Sequence, residues 1–102
     1  MADPGHRFFN DMSAVDAQPF VDALEPTYYL YQGPVITSED WRKLPITYLL
    51  CEQDNAVPVG RQEMVSAGLE VVRCDLGHSP FVGHPDAVAD VVEMILKKTQ
   101  EN

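Results

Sequence analysis

A chain of 102 residues bounds the fold to one domain, and its 45% hydrophobic content argues against wholesale disorder. Sixteen acidic against seven basic residues give a formal net charge of −9, which argues against nucleic acid or an anionic membrane as partner, since either needs a clustered basic face. No apolar run nears the roughly 18–20 residues of a membrane helix, and no basic-then-apolar leader opens the sequence, so a soluble, cytoplasmic protein is expected.

The first 44 residues differ in texture from the rest. Pro4, Pro19, Pro26 and Pro34 and most of the aromatic side chains fall there. Ser13 is placed to cap a short helix, with Asp16 three residues on. Pro19 is expected to break that helix in its interior and to open a second one, Phe20 to Leu24, which Pro26 stops. Tyr28, Tyr29 and Tyr31 follow without periodicity, and Gly33-Pro34 marks a turn. The segment reads as short helices strung on loops, with an aromatic face that must pack on something.

From Pro45 the pattern is regular. Ile46 to Cys51 is a near-continuous apolar run, as expected of a strand buried on both faces. Glu52 to Pro58 is a polar loop, Val59 to Ala67 a modest helix closed by Gly68, and Leu69 to Cys74 a second strand. Two strands around a helix in about thirty residues fit a right-handed βαβ unit. After Pro85, Val88, Val91, Val92, Ile95 and Leu96 form a helical stripe, with Asp86 at its start and Lys97-Lys98 at its end, and this helix is expected to cover one face of the sheet. Two parallel strands with apolar faces are not a finished sheet. One edge should expose unpaired backbone, and the sequence reads as part of a larger α/β fold.

The chemistry-bearing residues sit at strand ends. Asp54 follows the first strand and His78 the second, and in open parallel sheets function gathers at the carboxyl ends of strands. A carboxylate there would hold one imidazole nitrogen and leave the other free to take a proton. By themselves one Asp and one His are equally compatible with a helix cap or turn and a structural histidine. Cys51 and Cys74 lie near the strand ends and read as reduced core residues whose thiols could approach if the strands are neighbours. His6, His78 and His84 with the two cysteines lack a zinc-ligand spacing, Gly77 and Gly83 read as turn residues around His78, and no phosphate-binding loop is present, so no metal or cofactor is expected.

The run Pro45-Ile-Thr-Tyr-Leu-Leu-Cys-Glu-Gln-Asp54-Asn-Ala-Val-Pro58, then Asp75-Leu-Gly-His78-Ser-Pro-Phe81, then Pro85 opening the last helix, resembles the C-terminal portion of α/β-hydrolases. The likeness is to small serine hydrolases of the methylesterase and hydroxynitrile-lyase type. It implies that Asp54 is the triad acid and His78 the triad base. Phe8-Phe9-Asn10-Asp11 and Trp41 look similar to the end of that family's lid, which makes residues 1–44 a lid-like helical segment and 45–102 a C-terminal βαβα portion of the core. The family's nucleophile sits in G-x-S-x-G ahead of both residues, and that motif does not occur here. Ser79 adjoins His78, Ser66 lies in the short helix, and Ser13 and Ser38 belong to the lid-like segment, so none is expected to replace it; buried Cys51 and Cys74 should be inert. The resemblance therefore implies a hydrolase fragment carrying acid and base, acting in the whole protein on an ester-like small molecule, with lyase chemistry on the same residues as a variant. The chain alone is expected to be inactive. The alternative is a non-catalytic interaction module that associates with itself, or with the missing N-terminal half, through the unpaired sheet edge.

Overall fold

The computed structural model describes residues 3–25 and 37–101; Pro26, Tyr28, Tyr29, Tyr31 and the Gly33-Pro34 turn lie outside the described residues. Among the described residues, five α-helices and two strands follow in the order α1 Pro4–Phe8, α2 Ala14–Asp22, a 3₁₀ turn Asp40–Lys43, β1 Thr47–Cys51, α3 Val59–Val65, β2 Glu70–Cys74, α4 Pro80–Gly83 and α5 Pro85–Glu101. The strands pair in parallel from Thr47 opposite Glu70 to Cys51 opposite Cys74, with α3 as the crossover. This is a partial α/β fold with the βαβ unit that the apolar runs require.

Local chemistry accounts for each boundary. Asp3 accepts the N–H of His6, and Pro4 then begins α1 at a position where its missing N–H costs nothing. Ser13 accepts the N–H of Asp16 and starts α2. The expected break at Pro19 does not occur: one helix runs through it. The proline removes only its own bond to the Val15 carbonyl, and Val15 is 82% exposed, so water can serve that carbonyl. Gly68, with φ 83°, reverses the chain after α3 in the left-handed conformation that glycine adopts without strain. The single turn α4 falls where the sequence suggested only turns: Pro80 opens it and His84 closes it, immediately ahead of α5. Of the α5 stripe, Val88, Val91 and Ile95 are half-buried while Val92 and Leu96 are exposed; α5 packs mainly on α4, and the expected cover over one face of the sheet is not formed.

The core is small. Phe9, Ala17, Leu50 and Cys51 are its buried apolar members, and Leu50 is 1% exposed. Phe9 packs on Phe20 with ring centroids 5.8 Å apart and the rings tilted, which ties α1 to α2. Trp41 stays partly exposed under the Arg42 guanidinium, 4.4 Å above the ring.

A buried glutamine connects α3 to the end of β1. The Gln62 Oε1 accepts the Cys51 N–H at 2.9 Å, and its Nε2 donates to the carbonyls of Cys51 at 2.8 Å and Val57 at 2.9 Å. Only 2% of this residue is exposed. Nothing in the spacing of Gln62 announces the role, because a polar residue within a short helix reads as solvent-facing. Gln62→Ala is expected to lower stability by roughly 1–3 kcal/mol, because the Cys51 N–H is then buried without an acceptor. A urea midpoint shifted downward at unchanged slope would show it.

Candidate active site

The strand register delivers Asp54 and His78 to the same place. Cys51 and Cys74 are direct partners, the Glu52 N–H continues the ladder to the Cys74 carbonyl, and the Gln53 N–H reaches the Leu76 carbonyl. The loops that follow therefore leave the sheet side by side. The Asp54 side chain is 6% exposed, and its Oδ1 accepts the N–H groups of Ala56 and Val57 at 2.8 and 2.9 Å. The same carboxylate lies 3.2 Å (Oδ1) and 3.1 Å (Oδ2) from Nδ1 of His78. An ionised carboxylate only accepts, so Nδ1 carries the proton in this arrangement. Nε2 keeps its lone pair, and it has no hydrogen-bond partner among the described residues. The Phe8 ring lies 5.4 Å from the imidazole centroid and shields one face of it. The result is an oriented imidazole, 34% exposed, whose free nitrogen can accept a proton from a group brought to it.

Neighbouring acids are engaged elsewhere. Glu52 pairs with Arg73 at 3.5 Å, and Asp75 accepts from the Gln53 amide at 2.9 Å. Three serines are hydrogen-bonded elsewhere, Ser13 capping α2, Ser38 accepting the Asp40 N–H and the Ser66 hydroxyl donating to the Gln62 carbonyl, while buried Ser79 precedes α4 without a capping bond. None of these hydroxyls bonds His78. Of the other histidines, the His6 carbonyl accepts from Asn55 Nδ2 at 2.8 Å, and His84 Nε2–H donates to the Asp11 carbonyl at 3.0 Å. A cleft of about 370 Å³ opens between α1 and α2, and neither Asp54 nor His78 lines it.

The two cysteines are free thiols with sulfurs 3.7 Å apart. Burial first, then the Cys74 thiol and the charges of Asp54 and Asp11, push the Cys51 thiol up to about 12. It is a core thiol without nucleophilic character at neutral pH. Tyr48 is raised in the same way, mainly by burial.

Two residues of the early segment also reach the site. Asn10 Nδ2 donates to the Gln53 carbonyl at 2.6 Å, and the Gly77 N–H donates to Asp11 Oδ2 at 2.9 Å. Gly77 has no room for a side chain, since a Cβ there would stand 2.1 Å from Asn10 Oδ1. Sequence reasoning placed Asn10 and Asp11 in the lid-like segment, away from the acid and base. The only available signal was the glycine immediately before His78, which marks a close approach as readily as a turn.

The alpha/beta hydrolase family's sequence profile matches residues 1–91, and the chain belongs to that family. Among individual relatives it is similar to the alpha/beta hydrolase nvfD of Aspergillus novofumigatus (strain IBT 16806), 40% identical over 60 residues; the match covers 55% of this chain and 24% of that relative. The chain thus spans about a quarter of the curated relative it matches. No solved structure matches it significantly.

The raised thiol carries a pH signature. The unfolded chain ionises Cys51 near its ordinary 9.0 and the folded chain only near 12, so the associated stability is complete below pH 9 and is lost as pH rises toward 12. The stability deficit of Cys51→Ala against the natural chain should therefore narrow over that interval, as read from urea midpoints in alkaline buffers.

Proposed function

We propose that this chain is the C-terminal portion of a serine-dependent α/β-hydrolase of the methylesterase and hydroxynitrile-lyase type, acting on an ester or similar carbonyl compound. The observation that carries the reading is the His78 imidazole, held at Nδ1 by both oxygens of a buried Asp54 with Nε2 left open. Family membership supports hydrolase chemistry at this place in the fold. A serine hydroxyl, supplied by residues outside these 102, donates its proton to Nε2 as its oxygen attacks the carbonyl carbon. Asp54 stabilises the imidazolium so formed, and Nε2 then returns the proton to the leaving alkoxide. Water repeats the sequence on the acyl-enzyme and releases the acid.

We assign the missing part of the sheet to an open edge of the β1–β2 pair, consistent with exposed apolar side chains on β2 (Val71), α3 (Met64) and α5 (Val92, Leu96) that the small core leaves unburied. Among the described residues no helix is long and apolar enough to cross a membrane.

The test is complementation. A polypeptide carrying the N-terminal strands and G-x-S-x-G of a relative, folded together with this chain, should hydrolyse a p-nitrophenyl ester. His78→Ala should abolish nearly all turnover, and Asp54→Asn should cost on the order of 10⁴-fold in kcat. A well-folded complex without esterase activity would overturn the reading. A nearly silent Asp54→Asn would remove Asp54 from the role of acid.

A further inference from the structure

We propose that Asn10 and Asp11 are positioning residues: a two-residue staple that fixes the acid loop against the base loop and so sets the Asp54–His78 hydrogen bond. The proposal rests on the reading of those two residues as acid and base. Asn10 Nδ2 donates to the carbonyl of Gln53, the residue before Asp54, at 2.6 Å. Asp11 Oδ2 accepts the N–H of Gly77, the residue before His78, at 2.9 Å. The Asp11 carbonyl takes the Nε2–H of His84 at 3.0 Å, which ties down the far end of the histidine loop. Consecutive residues thus hold both loops from outside the βαβ unit, across sequence separations of 43, 66 and 73 residues.

The space around the staple is cleared for it. At Gly77 a Cβ would meet Asn10 Oδ1 at 2.1 Å, and at Gly83 one would meet Met12 Cγ at 2.7 Å and Asp11 Oδ1 at 3.2 Å. Neither glycine has a left-handed backbone, so conformational freedom does not explain them, and close approach does. Phe8, two residues before Asn10, lays its ring against the imidazole itself. The staple is also held at a cost. Asp11 is 8% exposed, and Oδ1 of Asp11 and Oδ1 of Asn10 are buried without a hydrogen-bond donor. The Asn10 oxygen sits where a Gly77 Cα–H points, and the Asp11 oxygen lies on the side of a Gly83 Cα–H, both weak contacts at best. A segment needed only to cover apolar surface would be better served by apolar side chains there; polar groups at these positions make sense if the two loop bonds matter more than the unpaired oxygens.

A staple of this kind acts on the imidazole's orientation, which proton placement reports. Nitrogen-15 shifts of the His78 ring in the labelled 102-residue chain at neutral pH should show the proton confined to Nδ1. In Asp11→Ala it should be distributed over both ring nitrogens, and Asp11→Asn, whose amide oxygen still accepts the Gly77 N–H, should restore the original pattern. A ring confined to Nδ1 and unmoved in Asp11→Ala overturns the proposal alone. A natural chain already spread over both nitrogens overturns the acid–base reading and the proposal with it. If circular dichroism shows Asp11→Ala to be unfolded, Asn10→Ala, which removes only the Gln53 bond, carries the same two outcomes. In the complemented enzyme Asp11→Ala should lower kcat on the order of 10²-fold with KM little changed. A raised KM at unchanged kcat would overturn the positioning role.

Discussion

The parallel register of β1 and β2 is the constraint on which the rest of this molecule depends. Asp54 and His78 are 24 residues apart and meet only because Cys51 stands directly opposite Cys74, so that both loops leave the sheet at one level. Side chains alternate along a strand, and a slip of one residue would turn every inward residue outward and part the two loops. The register is set by apolar burial around Leu50, by the crossover helix α3, and by a ladder that continues past the strands through Glu52 and Gln53.

Given that register, a single carboxylate both shapes the acid loop and holds the imidazole. Asp54 takes the N–H groups of Ala56 and Val57 and, with the same group, faces Nδ1 of His78. Its loop cannot change shape without disturbing the ring, and the ring cannot turn without taking a hydrogen-bond donor from a buried carboxylate, which is expensive. Fixing the tautomer is thus a by-product of making the turn. The aromatic Phe8 lies against the ring on one side, and about a third of the histidine side chain stays open to solvent.

Much of this was legible in the residues. Apolar runs bounded by Pro45 and Gly68 announce two strands and a crossover, although only Leu50 and Cys51 of β1 are buried and β2 is largely exposed, and the polar loops after them place Asp54 and His78 at neighbouring tips. Ser13 reads directly as a cap and serves as one. Less legible was anything that depends on tertiary placement. Whether Pro19 breaks a helix turns on whether one carbonyl can reach water, and composition does not carry that information. Gln62, Asn10 and Asp11 are polar residues in helix and turn positions, where local pattern assigns them to solvent; their burial follows only once α3 and the α1–α2 segment have docked. The glycines at 77 and 83 were read as turns because close approach by a distant side chain leaves the same mark in a sequence.

Gln62 has a further consequence. The Glu52 N–H points toward β2, so the backbone groups of Cys51, one residue earlier, point away from it, and there the Gln62 carboxamide occupies both. A side chain therefore stands where an adjoining strand's peptide group would otherwise lie. Any strand added along that side can pair with β1 only as far as Leu49, and the tip of β1 stays outside the extended sheet. The carboxamide works as a measuring stop: it limits how far a strand placed there could advance along β1.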